Sequence, residues 1–302
     1  MRDVRFAISP RLAAGLRSAA ADGRPPYELA LADGPLVEDV SDVPQDAEYV
    51  ATRGTAANVP RVGHLEQLTA LWADPATPAL FSACATAPRL RALYVSELKQ
   101  LADVPLAGAP ALEHLMLAWA LRLADISFLG ALPALRTVYL DDMRRIDLST
   151  LPELPEVTGF HLGGGVWNTL KVDTLSSLVR LPGLRFLRLS NVRPADGSLR
   201  PLASLTRLRA IDLPNFFALE EYARLSVALP QAKGNALTPY FAAFDGTPLN
   251  SPPFVCPRCN GARRMMTGRP ALLLCPSCDV TKVQRRLARW EAARTSPWPL
   301  ET

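Results

Sequence analysis

The sequence has no long hydrophobic run. Its longest uninterrupted apolar stretch, Leu115 to Leu121, covers seven residues, far fewer than the roughly 20 that a membrane-spanning helix needs. Charged residues interrupt the N-terminal stretch every few positions, so no hydrophobic signal segment is predicted there. We therefore expect a cytoplasmic protein that does not span a membrane.

Lysine and histidine are scarce. Four of the 33 Lys and Arg residues are lysine, and the chain has three histidines. This arginine bias, with abundant Ala, Leu and Pro, is typical of a GC-rich bacterial genome. The charge is also uneven, because residues 251–302 carry nine basic and three acidic residues, a net of +6, whereas the other 250 carry 24 and 26, a net of −2. The basic character therefore belongs to the C-terminal segment.

A repeat runs through the middle of the chain. Six stretches share the pattern L-x-x-L-x-L, with Val, Phe or Ile as substitutes, and successive copies begin 22 to 27 residues apart. The end of each copy alternates with a strand period, and so short a strand buries its leucines only by stacking on the next copy. We predict an α/β solenoid of parallel strands with one or two helical turns per connection. The copies begin at Leu90, Leu112, Leu135, Val157, Leu184 and Leu208, and a weaker one at Leu65.

Over residues 61–231 this pattern resembles the leucine-rich repeat (LRR) family. The resemblance implies that the strands line a concave face, where partners commonly bind, and that the helical turns lie on the convex face. The family usually places Asn or Cys three residues after the last strand leucine, and this chain has neither at any of those positions. An ordinary α/β sheet with accidental periodicity is the alternative.

We predict four regions along the chain. An amphipathic helix over residues 215–230 would close the last repeat, and a helix over 11–23 and a hairpin at Asp33-Gly34 would belong to the N-terminal cap. The regions are an N-terminal cap (1–60), the LRR solenoid with its closing helix (61–231), a linker (232–252) and a zinc ribbon with a basic C-terminal helix (253–302).

One column of side chains would run down the predicted concave face, from the outward position between the two strand leucines. Neighbouring strands lie about 5 Å apart, so these side chains would form a continuous stripe. Aromatic residues and Arg are typical of binding hot spots, although an exposed strand also accommodates Tyr and His without any partner. We predict a protein partner on this face. Its predicted contacts are Tyr94, Met116, Trp119, Tyr139, Asp141, His161, Arg188 and Asp212.

The same column predicts no catalytic triad. Ser190 would lie roughly 8 Å from His161 along the sheet, and Asp141 would be similarly placed on the other side. A triad needs direct hydrogen bonds between its members. The run Gly163–Gly165 lacks the surrounding pattern of a dinucleotide or phosphate loop and indicates a tight corner. We predict that the protein is not an enzyme.

Four of the five cysteines form two C-x-x-C pairs, Cys256 with Cys259 and Cys275 with Cys278, separated by 15 residues. Two such turns complete the tetrahedral thiolate shell that zinc prefers, and the interval suits a hairpin. A disulfide pair and an iron–sulfur or redox dithiol site are the alternatives. Because no coordination position is left for water, we predict a structural Zn²⁺ that supplies folding energy. The spacing resembles the zinc-ribbon family over residues 254–280.

A basic helix is predicted after the cysteines, with its apolar side packed on the ribbon or on the solenoid. Its charge gives a second hypothesis, in which the tail contacts nucleic-acid phosphates. Against it, this region offers few exposed aromatic residues for base stacking apart from Trp290, and a solvated basic face is the simpler alternative. The predicted nucleic-acid contacts are Arg263, Arg264, Arg269, Arg285 and Arg286.

Overall fold

The computed structural model describes residues 36–98, 104–106, 108–165, 167–241 and 254–298. The helix predicted over residues 11–23 and the hairpin predicted at Asp33-Gly34 lie outside these ranges. Within them, no helix combines the length and the apolar character that a membrane crossing requires.

The described part of the chain contains fourteen strands in one large and two small sheets. They are β1 (Val37–Asp39), β2 (Tyr49–Ala57), β3 (Ala70–Ala73), β4 (Ala92–Val95), β5 (His114–Ala118), β6 (Thr137–Asp141), β7 (Gly159–Gly163), β8 (Leu170–Val172), β9 (Phe186–Ser190), β10 (Val192–Pro194), β11 (Ala210–Asp212), β12 (Lys233–Gly234), β13 (Arg264–Met265) and β14 (Leu273–Leu274).

The large sheet is parallel and follows the chain from strand to strand. Its order is β1-β2-β3-β4-β5-β6-β7-β9-β11-β12. The six repeat copies supply β4 to β7, β9 and β11, and their strand leucines pair in register, for example Leu115 with Val138 and Leu117 with Leu140. These side chains are buried in one continuous core. The predicted stacking of the repeat copies is therefore confirmed.

Short helical segments pack on one face of this sheet. They carry leucines such as Leu129, Leu178 and Leu202 into the same core as the strand leucines. Helix α1 (Pro78–Thr86) connects β3 to β4. Six other connections each hold one 3₁₀ segment: Val40–Asp42, Val59–His64, Ser127–Ala131, Leu148–Thr150, Ser176–Arg180 and Arg200–Ser204. We call the opposite face of the sheet, turned away from these segments, the concave face.

The sheet extends past the predicted repeat at both ends. β1 and β2 join it inside the region predicted as a cap, and β12 pairs with β11 inside the region predicted as a linker. The Asn235 side chain accepts from the Leu213 N–H and donates to the Leu213 carbonyl. The Asn235 side chain thus satisfies backbone groups of Leu213 that no further strand residue pairs with. The leucine pattern has ended at this point of the sequence, so it does not indicate this contact. Residues 233–241 therefore belong to the folded body.

Two longer helices form the C-terminal end. Helix α2 (Leu219–Ala228) follows the last repeat copy, within the range predicted for a closing helix, and buries Leu219, Tyr222 and Leu225. Helix α3 (Val280–Thr295) follows the cysteine cluster and packs against α2. The tail is therefore in contact with the solenoid.

Candidate binding surface and metal site

The predicted contact column has a closed part and an open part. Tyr94 and His161 are each 1% exposed, and Tyr139 is also buried. Met116, Arg188 and Asp212 are half-buried. Strand alternation shows which face a side chain points to, but it does not show whether that face is covered. The expectation of a fully accessible stripe is therefore corrected.

His161 is held between an aromatic ring and a carboxylate. Its imidazole stacks on the Tyr139 ring, with centroids 3.9 Å apart and planes 7° from parallel. Its Nε2 lies 3.1 Å from Asp141 Oδ1. Burial lowers the pKa of His161 although Asp141 opposes this shift, so the neutral ring donates from Nε2 to the carboxylate. Burial opposes ionisation of Asp141, but the hydrogen bond from His161 leaves its pKa below the ordinary value.

On the neighbouring strand β9, the polar side chains pair with each other and with β11 rather than with His161. Arg188 Nε donates to Ser190 Oγ at 3.1 Å and lies 3.4 Å from Asp212 Oδ2. The Ser190 hydroxyl is thus paired with a guanidinium, which cannot act as a general base at neutral pH. His161, the nearest histidine of the column, is aligned on Asp141. This arrangement gives no activated serine.

A cavity of about 530 Å³ opens at the carboxyl ends of β5, β6, β7 and β9. Trp119, on its rim, is 40% exposed. Its φ of +57° lies in the left-handed region, and the equivalent rung positions Glu97, Asp142 and Asn191 share this conformation. A bulky residue rarely adopts it. The cavity is lined by Trp119, Tyr139, Asp141, Asp142, His161, Gly164, Gly165, Arg188, Ser190, Asn191 and Phe216.

The glycine run next to this cavity is a tight corner, as the sequence indicates. A Cβ on Gly164 would lie 2.4 Å from the Asn168 carbonyl oxygen. A Cβ on Gly165 would lie 1.9 Å from Asp142 Oδ1, so this glycine admits the carboxylate. Asn191 then closes the corner, since its side-chain amide donates to the carbonyls of Gly165 and Asn168 at 2.8 and 2.9 Å.

The same corner presents Trp167, which sequence reasoning missed. Trp167 is 93% exposed, whereas large aromatic side chains normally lose much of their surface on folding. The available signal was its position in the longest interval of the repeat, the 27 residues from Val157 to Leu184. That interval also contains β8, which pairs with β10 outside the main sheet.

The four clustered cysteines converge. Their Sγ atoms lie within 4.8 Å of one another, and Cys259 Sγ is 3.5 Å from Cys275 Sγ. All four are free thiols rather than disulfides. Four sulfurs at 2.3 Å from a tetrahedral centre are about 3.8 Å apart, so the donor set fits a metal ion. The predicted hairpin between the two pairs is present, because β13 and β14 are antiparallel.

Polar contacts outside the sulfurs orient the two cysteine turns. The Cys275 N–H donates to Asp279 Oδ2 at 2.9 Å, and Arg258 donates to Asp279 Oδ1 at 2.6 Å, which ties one turn to the other. The Arg258 backbone N–H lowers the pKa of Cys256 to about 6. Hydrogen bonding to Cys259 and burial raise the pKa of Cys278 to about 12. Without a bound cation, Cys256 is therefore favoured as a thiolate over Cys278.

Arg286 does not have the predicted role. It is 5% exposed, so its guanidinium cannot reach a phosphate. Instead it donates to four successive carbonyls of the hairpin turn, at 2.6 to 3.2 Å. Helical spacing places Arg286 on the basic face but does not reveal the carbonyls opposite it. The four carbonyls belong to Thr267, Gly268, Arg269 and Pro270.

The other predicted phosphate contacts are more accessible. Arg269 and Arg285 are exposed. The Arg264 guanidinium lies 4.7 Å from the centroid of the Tyr240 ring, and Arg263 donates to a hairpin carbonyl at 2.8 Å. The arginines of the tail therefore divide into free surface charges and charges used inside the fold.

The hairpin turn is docked on the last rung. The Arg269 N–H donates to the Phe217 carbonyl at 2.8 Å, and the Gly268 N–H donates to Asn215 Oδ1 at 2.6 Å. A Cβ on Gly268 would lie 2.5 Å from Leu219 Cα, so only glycine permits this approach. On α3, Trp290 belongs to the solenoid core. The tail thus covers the C-terminal end of the solenoid.

No protein-family model matches the chain, and no curated protein matches it. Among solved structures it is similar to an internalin from Listeria monocytogenes, at 17% identity over 76% of this chain and 68% of that one, with a TM-score of 0.47. It is also similar to a leucine-rich repeat protein from Leptospira interrogans, at 17% identity over 57% of this chain and 56% of that one, with a TM-score of 0.39. The similarity to TLR13, in its complex with ssRNA13, is 18% identity over 63% of this chain and 28% of that one, with a TM-score of 0.45. The description of the chain as a solenoid of stacked repeat strands rests on the strand order and register above, not on these similarities.

Proposed function

We propose that the protein is a non-enzymatic interaction module that binds a protein partner at the open part of its concave face. The observation that carries this proposal is the cavity at the carboxyl ends of β5 to β9, with an exposed Trp119 on its rim. Exposed tryptophans are the residues most enriched in binding hot spots. Holding a tryptophan exposed in the left-handed region costs folding free energy, which is typical of functional positions.

Trp167 enlarges the proposed surface. It lies two residues beyond Gly165, which lines the cavity, and almost all of its surface is free to be covered. Full burial of an aromatic side chain of this size supplies a large part of a typical hot-spot energy. The proposed contact surface therefore comprises Trp119, Trp167 and the cavity-lining Asp142 and Asn191.

Two substitutions test this surface. Trp119→Asn keeps a residue type that tolerates the left-handed region, and Trp167→Ala removes the exposed ring. Each variant should reduce affinity for a captured and purified partner by about tenfold or more, the range of hot-spot residues. Val179→Ala, an exposed apolar residue on a 3₁₀ segment of the other face, is the matched control. Unchanged affinity in both tryptophan variants would contradict the proposal.

We further propose that the ion held by the cysteines is a structural Zn²⁺. Four thiolates and no open position are typical of structural zinc, and the hairpin with two C-x-x-C turns supports a zinc-ribbon-like tail. Metal analysis of protein purified without chelators should give about one zinc per chain. Iron with sulfide, or no bound metal, would refute the assignment.

A nucleic-acid partner for the tail is the second candidate. It is supported by the net charge of residues 251–302 and by the exposed Arg269 and Arg285. Arg258 and Arg289 favour it less, because both pair with acidic side chains. Binding to generic DNA or RNA should weaken as the salt concentration rises. Arg285→Ala should reduce the slope of the logarithm of the binding constant against the logarithm of the salt concentration by about one. Binding without a salt slope would eliminate this candidate.

A further inference from the structure

The cavity at the carboxyl ends of β5 to β9 carries an excess of negative charge. Its charged lining groups are the carboxylates of Asp141 and Asp142 and the guanidinium of Arg188. The Arg188 charge is compensated from outside the cavity, because Asp212 Oδ2 lies 3.4 Å from Arg188 Nε. The two lining carboxylates therefore leave the cavity with a net negative charge. A positively charged group is the complementary ligand.

Asp142 supplies the carboxylate that is available to such a group. Asp141 already accepts a hydrogen bond from His161 Nε2, whereas Asp142 has no ion pair within the described part of the chain. Burial and the neighbouring Asp141 charge raise the pKa of Asp142. A cation bound beside Asp142 would therefore relieve an existing repulsion between two carboxylates.

Trp119 places an aromatic ring next to this carboxylate. Ala118 pairs with Asp141 in the register of β5 and β6, so Trp119 and Asp142 occupy equivalent positions directly after neighbouring strands, which lie about 5 Å apart. By the register of β6 and β7, the equivalent residue on the next strand is Gly164, which has no side chain to fill the space. An aromatic ring, a carboxylate and an open position thus stand in one row along the rim of the cavity.

We propose that this row binds the guanidinium of an arginine side chain on the protein partner. The inference rests on the proposed function, since it names the chemistry that the partner presents to that surface. Arginine fits better than lysine, because its planar guanidinium stacks on an aromatic face and bonds a carboxylate through two N–H groups. A metal ion fits less well, because among the described residues only the four clustered cysteines bring three or more ligating side chains close enough together.

A small arginine derivative tests the site without a partner. N-acetyl-arginine N-methylamide is titrated into the isotope-labelled full chain, and its neutral isostere N-acetyl-citrulline N-methylamide is the control. The indole N–H resonance of Trp119, assigned by its loss in Trp119→Asn, should shift with half-saturation at a concentration on the order of millimolar. The citrulline compound should need about tenfold more. Equal shifts with the two compounds, or no saturable shift with the arginine compound, would overturn the proposal.

Asp142→Asn isolates the contribution of the carboxylate. Asparagine keeps the shape of the side chain and tolerates the left-handed region, and Asp46→Asn, which changes an exposed carboxylate outside the cavity, is the matched control. Asp142→Asn should weaken binding of the arginine compound by about fivefold or more, because a charge-assisted hydrogen bond becomes a neutral one. The difference from the natural chain should shrink as salt is added. Equal affinities of Asp142→Asn and the natural chain would refute the role of this carboxylate.

The captured partner separates this inference from the proposed function. Loss of partner affinity in Trp119→Asn, Trp167→Ala and Asp142→Asn would support both. If the two tryptophan variants lose affinity and Asp142→Asn keeps it, the proposed surface stands and the arginine inference fails. If all three variants bind the partner as the natural chain does, the proposed function fails and the inference fails with it.

Discussion

The solenoid and the C-terminal tail are stabilised in different ways. The solenoid buries one continuous cluster that runs from Val37 to Ala236. Among its described residues, the tail has its own cluster of three buried side chains, Met266, Leu274 and Val283. Its two strands are two residues long each. The solenoid therefore gains stability by repeating one hydrophobic unit, and the tail is too small to do the same.

The tail compensates with two contacts of another kind. Four thiols converge on one point, and the far side of α3 inserts Trp290 and Ala293 into the solenoid core. The first contact brings together a donor set that fits a metal ion, and the second depends on the last rung. The comparison teaches that the tail is a dependent part of the fold, and it predicts that the two regions respond differently to the same perturbation.

Removing the metal should have the largest effect. Structural zinc supplies on the order of 10 kcal/mol of folding free energy in small domains, so chelation or Cys256→Ser should unfold residues 254–280. Hydrogen exchange with mass spectrometry should show loss of protection there and retained protection in β4 to β9. Cys84→Ala, which changes the one described thiol outside the cluster, is the control and should keep the metal. A tail that stays protected after Cys256→Ser would show that it does not depend on metal.

Trp290→Ala should weaken the junction between the two regions. Truncating a buried tryptophan typically costs about 3 to 5 kcal/mol. Since Trp290 is in the solenoid core but on the tail helix, the loss should separate a single denaturant transition into two. Trp167→Ala removes a nearly fully exposed ring and should leave the transition unchanged. One unshifted transition in Trp290→Ala would contradict the docked arrangement.

Acid should destabilise the solenoid through a buried histidine. All three histidines precede the tail in sequence, and burial lowers the pKa of His114 to about 4. An unfolded histidine titrates near 6.5, so the unfolded state binds more protons between the two values. Stability is complete above about pH 6.5 and falls as the pH approaches 4, by about 3 kcal/mol for this group.

The measurement compares unfolding free energy with pH for the natural chain and His114→Gln. Glutamine keeps a polar group opposite Thr137, whose hydroxyl is 2.8 Å from His114 Nδ1, and it does not titrate. The unfolding free energy of His114→Gln should fall less between pH 6.5 and pH 4 than that of the natural chain. His161, also with a lowered pKa, should account for a remainder. Identical pH profiles would show that His114 protonation does not couple to folding.

The parallel solenoid could be predicted because its cause is local and repeated. Each copy places leucines at fixed positions, and six copies in register leave little freedom in strand order. The convergence of the four cysteines could be predicted for a similar reason, since a C-x-x-C turn brings two sulfurs together by itself. Both predictions depend on spacing alone, and spacing is visible in a sequence.

Predictions that depended on the tertiary surroundings of a side chain were less successful. Tyr94 and Arg286 are on the faces that alternation and helical spacing indicate, but one is covered and the other meets four carbonyls. Trp167 has no periodic signal at all. Contacts between distant parts of the chain decide the cases of Tyr94 and Arg286, and no local pattern encodes those contacts.

Gly268→Ala tests the docking contact itself, with the smallest expected effect. Gly268 has a φ of +85° and a Cβ there would lie 2.5 Å from Leu219 Cα, whereas Gly197 has a φ of +63° and open space around it. Alanine is strained by the backbone at both positions, so the difference between the two variants isolates the steric contact with the last rung. Overpacking of this kind costs about 1 to 3 kcal/mol. Gly268→Ala should therefore lower the denaturant midpoint more than Gly197→Ala and raise hydrogen exchange in α3, and equal midpoints would mean that the turn does not press on the solenoid in solution.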